Sequence, residues 1–253
     1  YVVFVEVMGA RSFQPPDPAP PGPGDAPPTV TAMTLLRDHY RAHGPQVTAL
    51  AMFVAMVPWH GFQEAVSRCA TTVGENGNLI KKIAFPSELL PVYIVGYTLF
   101  NVVVGLLVFV AAARVSLGIW PTPGLLWMVP VIFLLQAIFT LGLGFLLAAT
   151  TVFLRDLVQI VPMVMTIWFF MTPIVYWRVP DARFAWISDW NPMAHLVELY
   201  RTVFIFPPGL APDVAEGSVP WRALGVFAAW AFVMLWLGLA VFRRKKYDFA
   251  DEL

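Results

Sequence analysis

The stretch PVYIVGYTLFNVVVGLLVFVAAA, residues 91–113, decides the fold because it runs without a charged side chain over the length of a membrane-crossing helix. At about 1.5 Å per residue, this stretch spans the roughly 30 Å hydrocarbon core of a bilayer. Apolar blocks of similar length occupy residues 47–68, 124–150, 158–177 and 221–242. The sequence therefore predicts an all-α, polytopic membrane protein.

The overall composition supports a membrane protein. Hydrophobic residues make up 58% of the chain and charged residues 13%, and the mean hydropathy is +0.70. A soluble domain carries roughly a quarter charged residues. The formal net charge is zero, so composition gives no argument for a nucleic-acid partner. The single cysteine, Cys69, excludes an intramolecular disulfide and a cysteine-based metal cluster, and we expect no metal site.

The chain divides into four regions on composition. Residues 1–10 are apolar but too short to cross a bilayer, so we expect them to be the end of a first span that begins before Tyr1. With that incomplete span, the predicted fold is a six-transmembrane-helix bundle. Proline-rich residues 11–46 form an extracytoplasmic insertion, with one short polar helix at 29–43 that Gly44-Pro45 should end. Residues 47–242 form the permease domain, and residues 243–253 form a basic tail.

Basic residues predict the orientation. Arg243, Arg244, Lys245 and Lys246 follow the last apolar block directly, and such clusters stay in the cytoplasm. Alternation then places the loops that carry Lys81 and Arg155 on the cytoplasmic side as well. The long segment 178–220, with a predicted amphipathic helix at 192–206, lies outside.

The segment GENGNLIKKIAFPSELLP, residues 74–91, has the pattern of a short helix at the membrane surface. Polar residues that favour a turn or cap come first, then an apolar face, and a proline ends the helix. An ordinary cytoplasmic loop with positive charges fits the composition equally well. The residues that carry the pattern are Glu75, Asn76, Leu79, Ile80, Lys81, Lys82, Phe85 and Pro86.

Several short motifs occur in a fixed order along residues 50–242. Pro58-Trp59 precedes an Asn-x-x-Leu-Ile-Lys-Lys-x-x-Phe-Pro segment, and Phe153-x-Arg155-Asp156 follows between two spans. Thr172-Pro173-Ile174 and Asn191-Pro192, followed by Arg201, complete the series. In these motifs the chain resembles the type-2 ABC permeases that export O-antigen, capsule and teichoic-acid chains. It departs from them in lacking the amino-terminal amphipathic helix and most of the first span, and in its proline-rich outer loop.

The resemblance implies a role for each motif. Glu75 to Pro86 would be a coupling helix that docks on a separate ABC ATPase subunit, with Arg155 and Asp156 beside that interface at the cytoplasmic edge. A salt-bridged or solvated turn is the alternative for this pair. Two copies of the chain and two ATPase subunits would assemble in the bacterial cytoplasmic membrane. The chain has no Gly-Lys dipeptide and hence no phosphate-binding loop, so the partner would bind ATP and Mg.

Aromatic residues make up 15% of the chain, and aromatic rings can pack against the C–H faces of sugars. We therefore expect some of them to line a path for a glycan or lipid-linked glycan. The alternative is an interfacial belt or packing against membrane lipid. The candidates are Trp59, Phe62, Trp168, Phe169, Phe170, Tyr176 and Trp177, and the outer-loop candidates are Asn191, Pro192 and Arg201.

Two further function classes stay open on the sequence alone. Within the transporters, the substrate is a polysaccharide or, alternatively, a drug, antibiotic or lipid. A membrane-embedded glycosyl or acyl transferase would need convergent acidic and histidine side chains, for which Asp181, Asp189, His195 and Glu198 are the candidates. The spans carry few carboxylates for proton coupling, and we expect Glu64 to pair with Arg68 one helical turn later.

Overall fold

A computed structural model describes residues 32–77, 86–118, 121, 123–175, 185–205, 220–247 and 249, with side chains from residue 49 onward, as helices joined by turns. The predicted stub at 1–10 and residues 11–31 of the proline-rich insertion lie outside these residues. The helices are α1 (Ala32–Glu75), α2 (Leu89–Leu117), α3 (Met128–Thr150), α4 (Leu157–Met171), α5 (Ala185–Trp190), α6 (Pro192–Phe204) and α7 (Trp221–Lys245), with a 3-10 turn at Pro123–Leu125.

The predicted apolar blocks are all helical where the structure describes them, which confirms a polytopic helical membrane protein. Among the described residues, α2, α3 and α7 are long and apolar enough to cross a bilayer, and α4 is a shorter apolar helix. The block at 158–177 was predicted too long at its end. Thr172 leaves the helix with φ −93° and ψ 134°, because a residue before proline avoids the helical region.

The predicted helix end at Gly44-Pro45 is wrong, because α1 runs without a break from Ala32 to Glu75. A proline removes one backbone donor and crowds the preceding turn, but it need not end a helix whose flanking turns continue to propagate. Residues 32–43 of the polar helix expected at 29–43 are therefore the first part of α1.

Helices α3 and α7 pack with their backbones in contact. A methyl group added at Gly238 would overlap the carbonyl of Gly142, and one added at Gly142 would overlap the backbone of Met234 and Leu235. Small residues allow this approach, as is typical of helix pairs in membranes. These two helices make the most extensive contact in the bundle.

The predicted amphipathic helix at 192–206 is confirmed as α6, and its position is a finding of the structure. Every residue of α6 except Glu198 is buried, and the helix packs against α1, α3 and α7. Its polar side chains therefore lie inside the bundle and must find partners there.

The two ends of the bundle differ in chemistry. At the end that holds the basic residues of the last turn of α7, here called the tail end, Val73, Phe145, Phe242 and Phe249 form a buried apolar cluster. The other end, here called the far end, exposes the tryptophans Trp127, Trp186, Trp190 and Trp221. Tryptophan is enriched where a membrane protein crosses from lipid to water. Within the described part of the chain, the far end thus has an interfacial belt formed by these four tryptophans.

Candidate functional site

Three of the sequence motifs meet at the far end in what we call the α4–α6 junction, formed by Thr172, Pro173, Ile174, Asn191 and Arg201. Asn191 is the N-cap of α6 and accepts a hydrogen bond from the backbone nitrogen of Met193 at 3.0 Å. Its side-chain amide donates to Thr172 Oγ1 at 2.9 Å, and its oxygen also accepts from the Trp168 indole at 2.9 Å. One buried amide therefore joins the start of α6 to the end of α4.

Arg201 ties α6 to the same junction. The side chain is buried, and it donates to the carbonyl oxygens of Pro173 at 2.8 Å and Ile174 at 2.6 Å. It also donates to the carbonyl oxygen of Ala51 in α1 at 3.2 Å. The planar guanidinium can reach several acceptors in fixed directions, which a lysine cannot. Arg201 thus holds three chain segments together.

A second buried polar connection lies deeper in the bundle, and sequence reasoning missed it. Tyr200 donates its hydroxyl to Gln136 Oε1 at 2.6 Å, and the Gln136 amide donates to the carbonyl oxygen of Pro58 at 3.1 Å. A lone glutamine within the apolar block at 124–150 was the available signal, because polar groups inside a membrane helix need partners. The connection fixes α1, α3 and α6 next to the Pro58-Trp59 motif.

Several path candidates come together in an aromatic core. Trp59 lies 5.7 Å from Phe62, 6.1 Å from Trp168 and 5.7 Å from Phe169, measured between ring centroids. Trp59 is 0% and Phe62 1% exposed, so neither presents a ring face to a ligand within this chain. For these two residues the structure shows packing in the core.

The remaining path candidates divide by position. Phe170 packs on Phe169 at 5.3 Å and is 60% exposed on the outer surface of α4. Tyr176 and Trp177 lie outside the described residues. Phe139 and Phe227 extend the aromatic core, with their ring centroids 5.6 Å apart. No sequence pattern distinguishes them from the other apolar residues of their helices.

The predicted coupling segment is described at its two ends. Glu75 is the last residue of α1 and so does not begin a separate helix, while Asn76 follows in a turn and donates to the carbonyl oxygen of Thr72 at 2.8 Å. Pro86 is exposed just before α2. Residues 78–85, which include Leu79, Ile80, Lys81, Lys82 and Phe85, lie outside the described part of the chain.

The last residue of α7 and the chain after it pack onto both tail-end loops, which the sequence did not predict. Lys246 donates to Glu88, at the exit of the coupling segment, at 2.8 Å, and this contact lowers the pKa of the Glu88 carboxyl from its ordinary value. Lys245 lies 4.1 Å above the ring of Phe153 in the turn between α3 and α4, and Phe249 is buried. The segment predicted as a basic tail is thus anchored to the bundle.

Arg155 and Asp156 lie in the turn between α3 and α4, as the sequence predicted. Both residues are exposed at the tail end. The backbone carbonyl of Asp156 accepts from Gln159 at 3.0 Å and from Ile160 at 3.2 Å, which starts α4. Their proposed place beside an ATPase stays a prediction.

The candidate transferase residues do not form a reacting group. His195 Nε2 bonds the backbone carbonyl of Asp189 at 2.9 Å, whereas the Asp189 carboxylate faces Arg222 at 3.4 Å. His195 Nδ1 is 4.0 Å from Glu198, beyond hydrogen-bond distance. Asp181 lies outside the described residues. A general base needs an open approach for its substrate, and the buried His195 ring has none in this arrangement.

Comparison with known proteins places these motifs in a family. The sequence model of the ABC-2 type transporter family matches residues 31–205, which include the junction, the aromatic residues from α1 and α4, and the coupling segment. The chain belongs to the ABC-2 type transporter family. Membership in a transporter family, together with the His195 geometry, excludes the transferase interpretation. An ABC-2 protein works with an ABC ATPase subunit, and this transporter is a multi-pass membrane protein.

Curated relatives of this transporter carry more specific names. It is 34% identical over 209 residues, 80% of this chain and 75% of the relative, to the O-antigen export system permease protein RfbA of Myxococcus xanthus. It is 27% identical over 212 residues, 81% of this chain and 75% of the relative, to the protein of the same name from Klebsiella pneumoniae.

Proposed function

We propose that this chain is the transmembrane subunit of an ATP-driven exporter that moves a polysaccharide or lipid-linked glycan across the bacterial cytoplasmic membrane. The observation that carries the proposal is the 34% identity, over 80% of this chain, to a permease named for O-antigen export. The junction and the buried polar connection give the matched region a rigid frame at the far end. A glycan, rather than a drug or a free lipid, is the substrate class that the relatives' names support.

Complementation tests the substrate class. The full-length protein would be expressed, with its own ATPase, in a Myxococcus xanthus strain that lacks RfbA, and O-antigen at the cell surface would be measured by antibody binding. Restored display supports a glycan exporter. An intact, membrane-inserted complex that restores no display and instead confers drug efflux would contradict the proposal.

The proposed subunit assembly follows from the need for a separate ATPase that supplies the energy of transport. Two copies of this chain would enclose the passage and two ATPase subunits would bind ATP and Mg at the tail end, which is cytoplasmic. Hydrolysis would come from the partner alone, because the chain has no Gly-Lys dipeptide for a phosphate-binding loop. ATP hydrolysis by the purified chain, free of its partner, would contradict this assignment.

The coupling segment is the proposed contact with the ATPase. Phe85 would bury its ring on the partner, and burial of a large apolar side chain is worth about 1.5 to 3 kcal/mol. Phe85→Ala should therefore weaken a pull-down of the ATPase, while Pro86→Ala should leave binding intact and reduce export, because the helix loses its fixed end. Leu89→Ala, an exposed position on α2, is the matched control. If both variants bind and export like the parent, the segment is only a connector.

A further inference from the structure

Helix α1 changes character along its one open face. Between residues 49 and 57, every side chain that is not buried is apolar, as at Phe53, which is 45% exposed. From His60 to Glu75 every residue that is not buried is polar or glycine: His60, Gln63, Glu64, Ser67, Arg68, Thr71, Gly74 and Glu75. Their spacing of three and four keeps them on one face, over about 22 Å at about 1.5 Å per residue.

The neighbouring face of α2 extends this polar surface. The Arg68 guanidinium lies 5.5 Å from the ring centroid of Tyr97. Tyr93, which is 72% exposed, and Asn101, which is also exposed, are each four residues from Tyr97 and so share its side of α2. We call the whole surface the polar strip, formed by His60, Glu64, Ser67, Arg68, Thr71, Tyr93, Tyr97 and Asn101.

The strip lies along α2, which is long and apolar enough to cross a bilayer, and along α1, whose residues 47–68 the sequence predicts to be a span. Its surroundings therefore matter. Ionisable groups within a bilayer are costly against lipid tails, and they face water-filled cavities or other protein. Glu64 and Arg68 already neutralise each other at 3.0 Å, so the strip requires no opposite charge from a second protein. Its hydroxyl, amide and ionised groups remain capable of hydrogen bonds with water or with a hydroxyl-rich ligand.

We propose that the polar strip is one wall of a water-filled vestibule that opens at the tail end and receives the glycan chain. The inference rests on the proposed function, which makes the tail end cytoplasmic and the cargo a sugar polymer. The exposed tyrosine rings pack against the C–H faces of sugar rings, and the neighbouring polar groups bond their hydroxyls. The vestibule ends at the level of His60, because the same face of α1 is apolar beyond it.

Cysteine reactivity tests the vestibule. In a Cys69→Ala background, Ser67→Cys and Thr71→Cys would be treated with a charged, membrane-impermeant methanethiosulfonate in inside-out vesicles that hold the full protein with its ATPase. Phe53→Cys, on the same face of α1 but past the end of the strip, is the matched control. Because only a hydrated thiol ionises and reacts, we expect the strip cysteines to react about tenfold faster or more than the control.

Two outcomes would contradict the proposal that the strip lines a vestibule. If Ser67→Cys and Thr71→Cys react as slowly as Phe53→Cys, lipid or another part of the protein covers the strip. If Ser67→Cys instead forms a disulfide between two copies and resists the reagent, the strip is a dry contact between subunits.

The ligand is tested separately, in vesicles from Myxococcus xanthus cells that make O-antigen and from cells that do not. We expect the glycan to slow modification of the strip cysteines by threefold or more. Equal rates in the two preparations would contradict glycan binding at the strip. Failed complementation by the parent would contradict the proposed function itself, whereas a complementing parent with unreactive strip cysteines would contradict only the vestibule.

Discussion

Replacement of Arg201 by methionine removes every hydrogen bond that this side chain donates while it keeps most of the apolar stem. The carbonyl of Ala51 retains its bond within α1, but those of Pro173 and Ile174 lie in a turn and lose a buried donor. A buried polar group left without its partner costs about 1–3 kcal/mol. Two such carbonyls make Arg201→Met less stable by about 2–6 kcal/mol.

Thermal unfolding of the detergent-solubilised protein measures this loss. A change of that size lowers the melting midpoint by roughly 5–20 °C for a chain of this length. Tryptophan fluorescence is a suitable probe, because the Trp168 indole donates to Asn191 within the same junction. Arg201→Lys keeps the charge but not the forked geometry, so its midpoint should fall between those of the parent and Arg201→Met.

The control is Arg222→Met at the far end. The Arg222 side chain is 73% exposed, and substitutions at such positions usually change stability by less than about 0.5 kcal/mol. The reasoning fails if Arg201→Met melts within a degree or two of Arg222→Met. That result would mean that the turn carbonyls find other donors and that Arg201 does not hold the α4–α6 junction.

Three further predictions concern α7 and the segment after it. Gly238→Leu should prevent assembly of α3 with α7, seen as loss of a monodisperse peak in size-exclusion chromatography, whereas Gly225→Leu on the open face of α7 should behave like the parent. Lys246→Glu should reduce export per ATP hydrolysed, and the added change Glu88→Lys should restore it, if their ion pair holds the exit of the coupling segment. The hydrogen bond from Lys246 lowers the pKa of the Glu88 carboxyl, so its contribution to stability is present above the ordinary pKa of a glutamate and is lost as the pH falls through the lowered pKa. The difference in melting midpoint between the parent and Glu88→Gln should therefore disappear under acid conditions.

Sequence alone predicted the helices and the order of the motifs because both depend on local pattern. The block at 221–242 lies within α7, because an apolar run of that length has few backbone structures other than a helix open to it in a membrane protein. The pairing of Glu64 with Arg68 also followed from local spacing and is confirmed at 3.0 Å. The same spacing continues to His60 and Thr71, so the polar strip was visible in the sequence.

The long-range contacts could not be predicted from the sequence. Lys246 pairs with Glu88, which is far away along the chain. The two residues meet only because α2 and α7 are antiparallel, so that the start of α2 lies beside the end of α7. The amphipathic pattern of α6 predicted a helix but not its surroundings, since a polar face serves equally well against water or against buried carbonyls. Gly44-Pro45 led to a wrong prediction of a helix end. The local preference of these residues for ending a helix is overridden, because α1 continues through them into the bundle.

The backbone contact between Gly142 and Gly238 restricts how the transporter can move. Where two helices meet through side chains, small side-chain rotations let the helices slide past each other. Backbones in direct contact have no side chains between them that could adjust in this way. We therefore expect helices α3 and α7 to move together during each transport cycle. The displacement that opens and closes a passage has to be absorbed at contacts made by side chains, such as the ring packing of Trp59 on α1 against Trp168 on α4. Substitutions that stiffen that ring contact would slow the cycle without any loss of ATP binding.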